Sequence, residues 1–543
     1  MKLKLPRGVV VASIILLVFF WDLFGRGGDL PAGVAFHLTT LRLIGEGRLP
    51  YADFFDWSSP VLYLIWSLPY LIQQGLLAIG APFTLESVAK LFVFFLVAGS
   101  FVFSYSIFHF ARKLNIETRV AEVAQIDSLA TPLFFAFALS LFYFRLELGE
   151  NQFLLLLALF PWLLVRLCQY QSLRLPTHIA VLAGILFGTT ILLDLPYCLC
   201  ALVVEILLSV SAGRMRPKLF INASMLSMYL VSAVFCLYLV FMPSEMAASF
   251  FGSILPLKWL NYQVFHDLHG YSSCADLRAY LYLAFVALLF GFYFGKQKMV
   301  LVGSGLSICG LLFFVLERQS YSHDLIVASG SAVMVLALCV STIYQKVKAR
   351  ASSASVRWET LSFYIVSLSF VLLAHYSVSL ARERVAALPF AIKKNGLDDL
   401  SIVVSNNSSW HDPVILLSDN LSYGYPMLTN LDRRPCNYLI WARPLRLFHW
   451  LDERRLLNDQ YALFARRIYD DLRVEFDNKE AELVIVDSFG PLQALEREGL
   501  LASLETNYIK VADCYYYSEN KAPREYMGIA WPVNVYKRKA NAK

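Results

Sequence analysis

The chain has 543 residues, of which 58% are hydrophobic, 15% aromatic and only 16% charged, and its mean hydropathy is +0.56. Soluble domains carry about 25% charged residues, so this composition excludes an ordinary water-soluble protein and points to a chain that crosses a membrane many times. The net charge of +6 does not mark a nucleic-acid binder, because Lys and Arg gather in short connectors between apolar runs, where they set orientation, and no basic stripe with interleaved aromatics occurs.

The opening MKLKLPRGVVVASIILLVFFWDLF joins a basic start to an apolar core with no small-residue cleavage site after it, the pattern of an uncleaved signal anchor. A polar break follows from Arg26 to Pro60, reading RGGDLPAGVAFHLTTLRLIGEGRLPYADFFDWSSP. Its Asp29, Asp53 and Asp56, with His37 and Arg48, lie beside a membrane, where carboxylates are costly unless they have a task. Within it, Pro31–Leu43 spaces Val34, His37, Leu38, Leu41 and Arg42 three and four apart, which predicts a short amphipathic helix lying along the membrane.

Runs near twenty residues suffice to cross roughly 30 Å of hydrocarbon. They are Gly8–Phe24, Ser87–Ala111, Ser128–Phe144, Gln152–Cys168, His178–Leu193, Pro196–Ala212, Leu219–Phe241, Leu277–Phe294, Met299–Leu316, Leu325–Tyr344 and Glu359–Leu380. Pro60–Gly80 is ambiguous by hydropathy, and connector charge arbitrates. If it does not span, the basic N-terminus and the connectors Arg112–Arg119, Arg166–Arg174, Arg214–Lys218, Lys296–Lys298 and Lys346–Arg357 all fall on the cytoplasmic side. The expected fold is therefore an α-helical polytopic membrane protein of about eleven spans, with Pro60–Gly80 as an in-plane or re-entrant segment interrupted at Pro69. This arrangement collects Arg26–Gly80, Arg145–Asn151, Met242–Asp276 and Glu317–Asp324 on the outer face.

After Leu380 the composition changes, and residues 381–543 are expected to form a soluble extracytoplasmic α/β domain beside a transmembrane domain of residues 1–380. Val414–Asp419 and Glu482–Asp487 read as buried strands ending in Asp, Asp452–Leu472 as a helix, and Ile509–Tyr517 and Val533–Lys537 as further strands. Most of the nine Cys lie in or beside apolar runs and act as small hydrophobes, while Cys436 and Cys514 are free to pair in an oxidising compartment.

The chemistry-bearing residues fall in the outer pieces. Asp29 stands just ahead of a helix, where a carboxylate serves either as a cap or as a general base for an acceptor hydroxyl. Asp53 and Asp56 flank a turn that itself explains at least one of them. Arg145, Glu147 and Glu150 occupy the second outer piece. Glu317, Arg318, Tyr321, His323 and Asp324 occupy a later one, where Arg offers a fork of donors to a phosphate or anchors a headgroup. Asp194 fits a tight outer turn, and Glu205, deeper in an apolar stretch, fits a structural hydrogen-bonding role. His266, Asp267 and His269 lack complete metal-ligand spacing, and there is no glycine-rich phosphate loop.

This layout resembles the C-type membrane glycosyltransferases, which transfer a sugar from a polyprenyl-phosphate carrier on the outer face of a membrane. The residues that carry the likeness are Asp29, the run Gly47-Arg48-Leu49-Pro50-Tyr51-Ala52-Asp53-Phe54-Phe55-Asp56 followed by Pro60, the second-loop Gly149-Glu150-Asn151-Gln152-Phe153-Leu154, and Tyr321 with His323. It is closest to the bacterial branch with the lipid A aminoarabinose transferases and protein mannosyltransferases, although this chain has Asp29-Leu30 where relatives commonly carry Asp-Glu. The resemblance implies an inverting transferase in a bacterial inner membrane, with Asp29 as base and Asp53 as the alternative. Arg318, His323, Tyr321 and Lys90 would hold the lipid phosphate, and Asp56, His37, Arg145 and Glu150 would line the acceptor and sugar side. The implied partners are the lipid-linked sugar, the bilayer and a glycan, lipid or protein acceptor. No resident metal or other cofactor is specified, with room left for a divalent cation. A polytopic transporter or lipid-linked sugar flippase is the competing reading, and a membrane scaffold the third.

Overall fold

The computed structural model describes residues 30–81, 83–115, 149–211, 220–261, 298–317, 326–350, 398–418, 421–488, 490–516 and 531–540, with single helical positions among 13–20 and 132–140. Over these residues the protein is mostly helical, with a sheet in its C-terminal part. The helices ahead of the sheet are α1 (Ala32–Gly45), α2 (Pro60–Ala78), α3 (Leu85–Asn115), α4 (Asn151–Tyr170), α5 (Thr177–Ile191), α6 (Cys198–Ser211), α7 (Ala223–Val240), α8 (Lys298–Glu317) and α9 (Ile326–Arg350). Helices α3 to α9 fall on expected spans. Leu277–Phe294, Glu359–Leu380 and most of Gly8–Phe24 lie outside the described residues.

By length and composition α2, α3, α4 and α7 are able to cross a membrane, and α5, α6 and the apolar parts of α8 and α9 are shorter. Their outward faces carry Leu64, Phe95, Val102, Leu230 and Val240, all more than 60% exposed. Apolar surface on that scale suits lipid, not water, and the chain is a membrane protein. Helix α2 departs from expectation in being continuous through Pro69. A mid-helix proline removes one amide donor, and apolar packed helices tolerate that loss.

Helix α4 is the axis of the bundle, buried along nearly its whole length. Near its end the fully buried Arg166 meets Glu205 of α6 through both carboxylate oxygens, Nε at 2.5 Å and a terminal nitrogen at 2.6 Å. Tyr170 donates to Glu205 at 3.1 Å, and the remaining Arg166 terminal nitrogen donates to Gln169 at 2.5 Å, which also accepts from Asn222 and Ser224 at the start of α7. Each charged atom has a partner, so Glu205 has the structural role its sequence position suggested. Helices α5 and α7 approach through Gly184 and Gly188, where an added Cβ would lie 2.0 Å from the Ser224 carbonyl oxygen and 3.0 Å from the Met228 Cα. Small residues four apart are a common means of close helix contact in lipid.

The C-terminal sheet comprises β1 (Asp398–Asp399), β2 (Pro413–Leu417), β3 (Arg434–Pro435), β4 (Leu483–Asp487), β5 (Tyr508–Tyr516) and β6 (Trp531–Arg538), in the order β1-β5-β6-β4-β2-β3. Strand β2 pairs in parallel with β3 and β4, β1 in parallel with β5, and β6 antiparallel with β4 and β5. Both strands expected to end in Asp are present and buried, as central parallel strands require. The helices α10 (Leu400–Asn407), α11 (Leu421–Asn430), α12 (Arg443–Glu453), α13 (Asp459–Asn478), α14 (Pro491–Arg497) and α15 (Leu500–Asn507) complete this region. The expected helix over Asp452–Leu472 is divided, its first residues ending α12 and the rest starting α13 behind an Asn458 cap on the Tyr461 amide. Cys436 and Cys514 are free thiols. Cys514 lies on β5 and Cys436 follows β3, with β6, β4 and β2 in between at about 4.8 Å per strand, beyond the reach of a disulfide.

Removing one partner of a buried pair leaves a charge in an apolar bundle. Glu205→Ala is expected to cost about 3–5 kcal/mol, read as a fall in melting temperature, and the double variant Arg166→Met/Glu205→Leu to lose markedly less.

Candidate functional site

Helix α1 begins with amide donors that no preceding turn can satisfy. The Gly33 amide donates instead to Glu150 Oε1 at 3.2 Å, although Glu150 also stands at the N-cap of α4 and does not cap its own helix. A Cβ on Gly33 would lie 2.6 Å from that oxygen, so only glycine admits the carboxylate so close. Gly149, at φ +85°, packs against Val34 and Trp66, and a Cβ there would fall within 2.8 Å of both. Three residues on, Gln152 Oε1 accepts from the Val327 amide at 3.3 Å, at the start of α9. The side chains of one helix start thus satisfy the starts of two others, and three segments distant in sequence meet.

Helix α1 was expected to lie on the membrane with one face free, but it is buried on both sides. Val34, Leu38 and Leu41 are buried, and so are Phe36, Thr39, Thr40 and Leu43. The cover is α11, whose Tyr425 ring meets Phe36 edge-on at 4.9 Å and whose Thr429 hydroxyl lies 3.1 Å from that of Thr39. His37 is buried with no hydrogen-bond partner for Nδ1, and burial lowers its pKa to about 3. It is therefore a neutral imidazole.

The loop from Gly47 to Ser59 uses its two carboxylates differently. Asp53 is exposed and closes a turn, its Oδ2 accepting from the Leu49 amide at 2.7 Å while its own amide donates to the Leu49 carbonyl at 2.8 Å. Asp56 is fully buried, accepting from the Ser58 amide and the Tyr63 hydroxyl, each at 2.8 Å. Burial raises its pKa, while the bonds from Ser58 and Tyr63 and the charge of Lys258 pull the other way. Lys258 also pairs with Asp194 at 3.4 Å in the turn before α6. Ahead of the two carboxylates, Tyr51 holds φ +68° with no exposure, and its hydroxyl donates to the Ser58 carbonyl at 2.8 Å. A bulky residue in the left-handed region is strained and persists only where its surroundings impose it. Burial, and after it Asp56, raises the Tyr51 pKa well above its usual value.

Those surroundings come from the C-terminal part. The Phe55 amide donates to the Tyr438 carbonyl at 2.7 Å, and the Tyr438 hydroxyl donates to the Tyr51 carbonyl at 3.3 Å. Arg42 pairs with Asp432, and Glu46 with Arg434 at 2.7 Å. Arg443, at the head of α12 and 2% exposed, donates to Asn261 at 3.2 Å and stacks on Trp441 and Trp57, 5.4 and 6.0 Å from their ring centres. Behind the seam Glu475 accepts from the Tyr438 amide at 3.0 Å, and burial raises its pKa from 4.5 to about 8.

Of the expected site residues, Asp53, Asp56, His37 and Glu150 belong to this junction. Lys90 is buried and ion-paired with Glu86 at 2.5 Å, one turn away on α3. Asp29, Arg145, Arg318, Tyr321 and His323 lie outside the described residues, as do His266, Asp267 and His269. Among the described residues no three His, Cys, Asp or Glu side chains group as metal ligands. The sequence reading did not single out Gly33, Tyr63, Lys258 or Arg443 and named Tyr51 only within the motif that carries the likeness; of these, only the Gly in the first turn of a helix and the Tyr after Pro50 carried any local signal.

No family model matches the chain, and no curated protein matches it. Among solved structures it is similar to the oligosaccharyltransferase of Archaeoglobus fulgidus. With the zinc and sulfate complex the identity is 13% and the TM-score 0.44, over 94% of this chain and 71% of that one. With the apo form the identity is 13% and the TM-score 0.43, over 92% and 72%.

Two outcomes test the junction. Gly33→Ala displaces only the flexible end of Glu150, so hydrogen exchange of the 30–45 segment should quicken with little change in melting temperature. Gly149→Ala, with backbone strain and two packed neighbours, should cost about 1–3 kcal/mol. Glu475 binds its proton more tightly when folded, so its contribution to stability is full below pH 4.5 and is lost as pH rises toward 8. Glu475→Gln keeps an acceptor for Tyr438 and should flatten the melting-temperature profile over that window.

Proposed function

We propose that the protein is a membrane glycosyltransferase that moves a sugar from a polyprenyl-phosphate carrier to an acceptor on the outer face of the membrane. The observation that carries this reading is the meeting of the first loop, the Gly149–Gln152 segment and the start of α9 at the head of an apolar bundle. A lipid-phosphate donor needs such a place, where a polar junction with carboxylates adjoins helices able to pack an isoprenoid tail. The satisfied Arg166–Glu205 pair offers no unpaired intramembrane charge of the kind a transport pathway uses. The same proposal takes residues 1–380 as the transmembrane part, with α2 in the plane of the outer face, and residues 381–543 as extracytoplasmic.

In this reading Asp29 takes the proton of an acceptor hydroxyl as its oxygen bonds to the anomeric carbon. The bond from that carbon to the phosphate oxygen breaks on the opposite face, and the carrier leaves as polyprenyl phosphate with inversion. Arg318, His323 and Tyr321 meet the charge that develops on the phosphate, where fixed donors in a water-poor site contribute most. Asp29 is preferred to Asp53 because Asp53 is committed to its turn. Glu150, four residues before Leu154 on α4 and bonded to Gly33, fixes the segment that follows Asp29.

The test is transfer from radiolabelled polyprenyl-phosphate sugars by the protein in proteoliposomes. Asp29→Asn should lower the rate by about 10²–10⁴ with the protein folded and inserted, and Asp53→Asn should retain most of it. Full activity in Asp29→Asn removes Asp29 as base, and a wild-type protein that turns over no such donor removes the proposal.

A further inference from the structure

The loop between α10 and β2 displays an indole that nothing in the described fold covers. Trp410 is 74% exposed and His411 beside it 66% at its side chain, with ring centres 5.8 Å apart. Exposed loop tips are ordinarily mobile, yet this one is pinned on every side. The Ser409 amide donates to Asp412 Oδ2 at 2.6 Å, and the Asp412 amide to the Ser409 carbonyl at 3.2 Å. Arg433 donates through Nε to the Ser408 hydroxyl at 2.7 Å and through a terminal nitrogen to the Ser408 carbonyl at 2.8 Å. The His411 amide donates to the Asp432 carbonyl at 3.0 Å, with His411 itself at φ +60°. A large aromatic displayed to water on a pinned backbone gains nothing for the fold, whereas an aromatic so placed is the usual low-entropy anchor of a binding surface.

Its flank is equally fixed. His411 Nδ1 lies 3.3 Å from Asp432 Oδ2, and Asp432 also pairs with Arg42 at the end of α1. An imidazole, a carboxylate and a guanidinium thus run from the indole to the first outer loop, offering donors and acceptors in fixed planes. We infer that Trp410, His411, Asp432 and Arg42 form a carbohydrate subsite in which a pyranose stacks on the indole and its hydroxyls meet the His411–Asp432–Arg42 row. Under the proposed function, on which this assignment rests for its purpose, the subsite holds a glycan acceptor and leads it toward α1. A protein partner would need an apolar centre around the indole and about 800 Å² of contact, whereas the groups fixed around it are polar or charged. A bilayer anchor pairs Trp with uncommitted Lys or Arg, and here Arg42 is bound to Asp432.

The test measures binding without a donor, so that it is separate from turnover. The full-length protein in nanodiscs, free of sugar-headed detergent, is titrated with neutral and N-acetylated tetrasaccharides and followed by saturation-transfer NMR and calorimetry. Saturable binding of at least one of them is expected, weakened at least tenfold in Trp410→Ala and several-fold in Asp432→Asn, with unchanged melting temperature for the exposed Trp410 variant. No saturable binding by the wild type, or equal binding by Trp410→Ala, overturns the inference. So does quenching of the Trp410 emission, taken as wild type minus Trp410→Phe, by lipids brominated near the headgroup. Binding that persists in a protein that turns over no lipid-phosphate donor would remove the proposed function and leave the subsite standing.

Discussion

The organisation of the junction follows from one constraint, the need of a buried helix start to satisfy its first amides without water. The starts of α1 and α9 meet it in the same way, each through the second residue of the helix and each with an acceptor from the start of α4: Glu150 for Gly33 and Gln152 for Val327. Because both acceptors stand two residues apart at the start of one buried helix, satisfying the amides also fixes where the three segments lie relative to one another. The polar junction is therefore positioned by the most deeply packed element of the bundle.

A second layer rests on the first. Once α1 is held at its start, its outward side is still apolar, and the C-terminal part covers it with Tyr425 and Thr429 while bracing the strained Tyr51 through Tyr438. The contacts divide by environment. Rings and hydroxyls fill the centre of the seam, and ion pairs such as Glu46–Arg434, partly open to solvent, lie at its rim. Rim pairs of that kind contribute little stability but fix register, so the seam owes its strength to burial and its alignment to charge.

Much of the local structure was legible in the chain. The apolar runs became helices, VILLSD and ELVIVD became central strands, and Glu205 was recognisable as structural because a lone carboxylate in an apolar helix needs a partner, which Arg166 supplies. One of the two loop carboxylates, Asp53, proved to close a turn, as expected of at least one of the pair. What the chain did not disclose is long-range. Periodicity describes one face of α1 and is silent on a partner nearly four hundred residues away that buries the other. Nor does pattern separate Asp53 from Asp56, since one is exposed and the other is buried against Tyr63 and within reach of the charge of Lys258. Pro69 reads as a break in sequence and is not one in the fold, where α2 runs continuously through it.

The span between the halves of the seam also sets an order of events during synthesis. Thr39 and Thr429 are 390 positions apart, so at roughly 5–20 residues per second the first loop is made roughly 20 to 80 s before its cover. Throughout that interval α1 has its outer side bare and Tyr51 has no Tyr438 to hold it. The loop cannot take its final shape until the last quarter of the chain arrives, and the site is assembled from its beginning and its end only when both are present.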